Sequence, residues 1–164
     1  MIYIFSILST IFFDQLTKIY IIKNFNLHQV QSVIGDFFTI TYSTNTGGAF
    51  GVLDKYPQLF LIMSMVLTVL GIIFYKKIVA LPVSFQVALG LVLGGSLGNL
   101  IDRLRFGSVV DFINFNFWPT FNVADIAICV GVGILIINIA GMDTDETTVE
   151  KTGFDKKIKP GSIE

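Results

Sequence analysis

Apolar residues dominate this chain in four runs, residues 2–22, 58–75, 83–101 and 124–140. A bilayer core takes about 20 residues to cross and as few as about 17. Pro57 precedes the second run, Lys76-Lys77 close it, and Pro82 precedes the third. A water-soluble helical protein would interleave apolar stripes with charged faces, and no such alternation is present. The pattern predicts an all-α membrane bundle of four transmembrane helices. No Lys or Arg precedes Lys18 and no small-residue cleavage site ends the first run, so it reads as a retained helix rather than a signal peptide.

Two longer non-spanning segments, residues 23–57 and 102–123, would share one membrane face, with residues 76–82 and both termini on the other. The termini side carries Lys76, Lys77 and four tail lysines, against Lys23, Lys55, Arg103 and Arg105 on the other. The positive-inside rule therefore places the termini in the cytoplasm. Within the two segments the pattern changes period. Residues 36–42 are rich in aromatic and β-branched types, and residues 113–117 alternate Ile-Asn-Phe-Asn-Phe, the period of a strand. A small β element on the bilayer surface is expected. Residues 1–141 form one domain, and the polar, mixed-charge tail at 142–164 has no apolar period and reads as disordered.

Composition sharpens this picture. Of 164 residues 53% are hydrophobic and 14% charged, well below the roughly 25% charged of soluble domains. Six of the twelve acids lie beyond residue 142, so the body is more apolar than the average. A net charge of -1 gives no reason to expect nucleic acid. The single cysteine, Cys129, sits in an apolar run and reads as a small buried residue. One histidine, His28, and no HExxH or CxxC leave a zinc site without ligands. GxSxG and P-loop motifs are also missing.

The remaining candidates are polar residues near the helix ends. Asp14 and Lys18 stand four apart on one helix face; an ion pair inside a spanning run is either structural or organises a site. Asn45-Thr46-Gly47-Gly48-Ala49-Phe50-Gly51 is a small-residue turn that permits close backbone approach. Asn99 shares a helix face with Asp102 and Arg103. Gly90, Gly94 and Gly98 repeat the GxxxG spacing of close helix packing; with Phe112, Phe115, Phe117 and Trp118 that face is also a candidate acyl groove, although interfacial anchoring explains the aromatic residues more simply.

Asp111 follows Val109-Val110. In a strand over residues 109–117 it shares a face with Val109, Ile113, Phe115 and Phe117, and desolvation should raise its pKa. Asp125 falls three residues after Asn122, a capping-box spacing at a helix start, where the dipole favours an anion. Unlike settings of this kind separate an acid from a base. One carboxylate takes a proton from water while the other, protonated, polarises the carbonyl and later protonates the leaving amine. That is aspartic peptidase chemistry, which requires no metal. A proton-relay or transport subunit would place its acids mid-span, and a structural subunit would use them only as caps.

The ordered blocks Asp14-Gln15-Leu16-Thr17-Lys18, Asn45-x-Gly47-x-Ala49-Phe50, Gly95-x-x-Gly98-Asn99-x-x-Asp102-Arg103, Val110-Asp111-Phe112 and Phe121-Asn122-x-Ala124-Asp125 resemble lipoprotein signal peptidase (signal peptidase II), over about residues 14–128. The resemblance implies a bacterial inner-membrane aspartic endopeptidase with four spanning helices and a small β-region at the periplasmic surface. Its substrates would be lipid-modified prolipoproteins, cut just before a diacylglyceryl-modified cysteine, with membrane phospholipid around it. It implies Asp111 and Asp125 as the catalytic pair. Asp14, Lys18, Asn45, Gly47, Asn99, Asp102, Arg103 and Asn122 would bind substrate or support the site. No cofactor and a monomer are expected. Gly48 departs from the alanine common in the family.

Overall fold

The computed structural model describes residues 1–46 and 57–157, with side-chain surroundings given for 1–46 and 58–141. The chain runs α1 (Ile2–Asn24), β1 (Val30–Ile34), β2 (Phe38–Asn45), α2 (Pro57–Ile73), α3 (Tyr75–Ile78), α4 (Val83–Phe106), β3 (Val109–Phe115) and α5 (Val123–Lys157). It is mostly helical with one small sheet. Three helices are long and apolar enough to cross a membrane: Ile2–Asn24, Val83–Phe106 and Val123–Gly141. The fourth apolar helix, Gln58–Ile73, is shorter. Gly47 and most of the small-residue turn around it lie outside the described residues.

The helices meet through small residues. Gly90, Gly94 and Gly98 face α1. A Cβ at Gly90 would stand 2.6 Å from Ser6 Cβ, one at Gly94 2.8 Å from Thr10 Cβ, and one at Gly98 2.5 Å from Asp14 Oδ2. Ser6, Thr10, Asp14 and Lys18 recur every fourth residue of α1 and are all buried, so a stripe of small and polar groups fits a stripe of glycines. The glycine face is therefore covered by helix and is not an acyl groove; Phe112 likewise belongs to a core cluster with Ile21 and Val110. On its other side α4 meets α5, where Gly131 packs against the Ala88 carbonyl and Val92. Cys129, expected to be buried, is exposed, because its face of α5 borders a cavity rather than a packed neighbour.

Both long segments contribute to one antiparallel sheet of order β1-β2-β3. β2 comes from the first segment and β3 from the second, so the two segments sit at one end of the molecule. Gly35, at φ 49°, makes the β1–β2 turn. Ser43 pairs with Asp111 and Asn45 with Val109. Strand β3 ends at Phe115 rather than residue 117, because Trp118 N donates to Phe115 O at 2.9 Å and closes a turn. The chain then returns: Phe121 N donates to Ile113 O, while Phe121 O accepts from Phe112 N and Ile113 N. That return carries Asn122 and the start of α5 against β3. α4 stops at Gly107, which is left-handed at φ 72° and donates its N–H to Arg103 O, a glycine cap. α5 continues past Gly141 to Lys157, where the composition suggested disorder; no proline or glycine interrupts residues 142–152, and a helix already nucleated propagates readily.

Candidate active site

The site rests on a buried ionic cluster. Lys18 Nζ lies 3.0 Å from Asp14 Oδ2 and 2.9 Å from Asp102 Oδ2, with all three residues at most 1% exposed. The i,i+4 pairing on α1 is therefore present, and α4 adds a second carboxylate to it. Charges this deep persist only when their remaining polar atoms are satisfied. Gln15, which sequence patterning did not single out as a site residue, supplies part of that: its Nε2 donates to Asp14 Oδ2 at 3.1 Å, Asp102 Oδ1 at 3.0 Å and Gly98 O at 3.2 Å. Its place in the Asp14–Lys18 block was the available signal.

Each carboxylate of the cluster also takes one backbone N–H. Asp102 Oδ2 accepts from Val110 N at 3.1 Å, and Asp14 Oδ1 accepts from Ala124 N at 3.0 Å. Val110 immediately precedes Asp111, and Ala124 immediately precedes Asp125. The cluster thus fixes the backbone beside both candidate catalytic residues from two different helices.

Two asparagines carry the order up to the aspartates. Asn99 Oδ1 accepts from Lys18 Nζ at 2.8 Å. A lysine only donates, so Asn99 must present its oxygen there, and its Nδ2 donates to Asp125 Oδ1 at 2.8 Å. Asn122 forms the expected capping box with Asp125: Asp125 N donates to Asn122 Oδ1 at 3.0 Å, and Asn122 N to Asp125 Oδ2 at 3.2 Å. With its oxygen used, Asn122 turns Nδ2 toward Asp111 Oδ1 at 2.7 Å and Asn99 Oδ1 at 3.1 Å. Asn45 Nδ2 donates to the second oxygen of Asp111 at 2.9 Å. Cation and helix cap together set the orientation of both amides.

Asp111 is 1% exposed. Burial, and after it the charge of Asp125, push its carboxyl up to about 7, against the hydrogen bonds from Asn45 and Asn122 and the more distant Lys18. Desolvation is thus the leading cause, as the apolar neighbours of Asp111 suggest.

Asp111 and Asp125 open into one cavity of about 640 Å³, between α2, α4, β3 and α5, whose walls include Asn45, Phe60, Ser96, Asn99, Arg103 and Trp118. Arg103 lays its guanidinium 5.2 Å from the Phe60 ring centroid, and its buried Nε has no hydrogen-bond partner among the described residues. Cys129, one helical turn beyond Asp125, lines the same cavity. Apart from Gly47, each candidate catalytic or supporting residue lies in this cavity wall or in the network beneath it, whereas Phe115 and Phe117 do not line it. The arrangement supplies two carboxyl groups facing one space, amide donors behind them, and largely apolar walls.

Residues 6–140 match the family model described as Signal peptidase (SPase) II. A lipoprotein signal peptidase of Syntrophotalea carbinolica is 45% identical over 131 residues, covering 76% of this chain and 81% of that protein. One from Halalkalibacterium halodurans is 40% identical over 157 residues, covering 92% and 97%. Among solved structures, a bacterial membrane enzyme at 2.3 Å resolution superposes with a TM-score of 0.80 at 30% identity, covering 99% of this chain and 94% of that one. A second, at 1.9 Å resolution, gives 0.74 at 34% identity, covering 84% and 91%.

Proposed function

The chain belongs to the signal peptidase II family, and from that membership we propose that Asp111 and Asp125 form a water-activating dyad. The protein is a membrane aspartic peptidase of the lipoprotein signal peptidase kind. The finer reading is that it cuts prolipoproteins on the N-terminal side of the diacylglyceryl-modified cysteine. The observation that carries the dyad is the shared Asn122. Its side chain donates to Asp111 while its backbone and side chain cap Asp125, and both carboxyl groups face one cavity.

In the proposed reaction Asp111 begins with the proton that the pair shares. Asp125, whose carboxylate accepts from Asn99 Nδ2 and Asn122 N, takes a proton from water as the water oxygen bonds to the scissile carbonyl carbon. Asp111 gives its proton to the carbonyl oxygen. The tetrahedral intermediate then collapses: the C–N bond breaks, the amine nitrogen takes the proton held by Asp125, and the hydroxyl proton returns to Asp111. Arg103, Asn45, Asn99 and Gly47 bind or frame the substrate, and Asp14, Lys18, Asp102 and Asn122 support the dyad.

We read α2 as a fourth span, since 17 residues make a helix of about 25 Å, near the lower limit for a bilayer core. The sheet then lies at the periplasmic surface of a bacterial inner membrane, with cytoplasmic termini, phospholipid on the lipid faces and a monomer as the working unit. Residues 1–141 are the catalytic domain and the tail lies on the cytoplasmic side.

The test is cleavage of a lipid-modified precursor by purified Asp111→Asn and Asp125→Asn. Each should remain folded in detergent and lose at least about a thousand-fold in kcat, the scale of removing a triad member or oxyanion donor. Cleavage retained by either variant removes the dyad. Chelators should leave the wild type active, and chelator inhibition reversed by zinc would point to a different mechanism.

A further inference from the structure

At the end of the bundle opposite the sheet lies a second cavity, of about 310 Å³, walled by Tyr3, Leu70, Phe74, Ile78, Leu89 and Leu93 among others. It is separate from the catalytic cavity in every feature but the shared wall residue Leu67. Its walls are apolar save for one group. Tyr3 is 2% exposed, and its hydroxyl makes no hydrogen bond among the described residues. That hydroxyl lies beside the wall residue Gly71, 2.9 Å from where a Cβ on Gly71 would stand. The hydroxyl therefore opens into the cavity as a free donor, and an acceptor entering this cavity would be held by it.

The rim is cationic. Lys77 Nζ sits 5.5 Å from the ring centroid of Phe74, a wall residue, and Lys76 adjoins it. No Asp or Glu occurs between residues 57 and 101, and the ion pairs among the described residues all belong to Lys18. Two ammonium groups with no ion-pair partner among the described residues therefore border an apolar slot whose single polar wall group lacks an acceptor there.

We propose that this cavity binds one acyl chain of an anionic glycerophospholipid. The phosphate rests between Lys76 and Lys77, an ester carbonyl accepts the Tyr3 hydroxyl, and the chain fills the slot between α2 and α4. Three requirements are met by one molecule: an anion for the lysines, an acceptor for the hydroxyl and hydrocarbon for the walls. A zwitterionic lipid would bring its own cation against the lysines, and free phosphate would leave both slot and hydroxyl unfilled.

Native mass spectrometry of the full-length protein in detergent tests this, titrated with phosphatidylglycerol, with phosphatidylcholine of the same chains, and with inorganic phosphate. Phosphatidylglycerol should bind most tightly. Lys76→Gln/Lys77→Gln should weaken it about ten-fold or more while leaving phosphatidylcholine unchanged. Tyr3→Phe should weaken both lipids, and Leu70→Trp should prevent retention of either. Equal affinity for the two lipids overturns the proposal, as does unaltered phosphatidylglycerol binding in the double lysine variant or in Leu70→Trp. Displacement of bound phosphatidylglycerol by millimolar inorganic phosphate would show a headgroup site without a chain, and overturns it as well. The lysine variant lies on the surface and Tyr3→Phe is nearly isosteric, so both keep the test open if the tryptophan variant does not fold.

Discussion

Asp111 combines influences of opposite sign. Burial and the charge of Asp125 disfavour its ionisation, two asparagine donors favour it, and the balance leaves the carboxyl at about 7. Its apolar flanks made the desolvation legible in the sequence. The donors were not, because Asn45 lies 66 residues away and meets Asp111 only through the pairing of β2 with β3. The pH dependence follows from the value. Asp111 holds a proton below about pH 7 and loses it above, so kcat/KM on a lipid-modified precursor should fall about ten-fold per pH unit on the alkaline side. A profile flat from pH 6 to 9 would contradict this. Stability is linked to the same proton. The folded value lies above the roughly 3.9 of an unfolded aspartate, so the contribution is fully present below about pH 4 and is lost as pH rises through about 7. Asp111→Asn cannot ionise. It should raise the melting temperature at pH 8 and change it much less at pH 5, as thermal unfolding in detergent can check. Cys129 marks the limit of local reading: its neighbours are apolar because this face of α5 borders a cavity, not because it meets another helix.

Helix pairing explains why the aspartates are held so closely. Spacing alone showed the glycine repeat of α4, but the meaning of that repeat lay in the matching Ser6, Thr10 and Asp14 repeat of α1, which reads in isolation as scattered polar residues. Lys18 pairs with one carboxylate from each helix. Lys18→Met would leave both buried and uncompensated, a loss of about 3–5 kcal/mol; reversible unfolding in mixed micelles measures it, and a loss below about 1 kcal/mol would mean that the cluster is not structural. Gly98→Ala tests the connection to the site. Its Cβ would meet Asp14 Oδ2 at 2.5 Å, and Asp14 holds Ala124 beside Asp125. The expected result is a kcat lower by about ten-fold or more, with KM little changed, since small displacements of catalytic groups have effects of this size. Gly133→Ala serves as the comparison, because nothing lies within 4 Å of its Cβ position; its kcat should match the wild type.

Across the whole molecule, the apolar helices, three of them long enough to cross a membrane, and the meeting of the two long segments at one end were readable from the chain, since burial in lipid or against a helix imposes long apolar runs. Strand β1 was not readable. All five of its residues are exposed, so no buried face imprints an alternation on them, and its pairing with β2 follows from the turn at Gly35. The extent of α5 was also hidden, because a polar stretch can extend a helix without any apolar period. The ionic cluster has a consequence for biogenesis. Asp14 and Lys18 emerge from the ribosome together, so the two can pair within α1 as it enters the bilayer, with Lys23 at the end of the helix. Asp102 follows 84 residues after Lys18, a delay of roughly 4–17 s at bacterial synthesis rates. During that interval the first helix carries a cation whose second counter-ion has not yet been made. Arrival of the third apolar run brings Asp102, the second carboxylate that Lys18 pairs with, and completes the buried cluster.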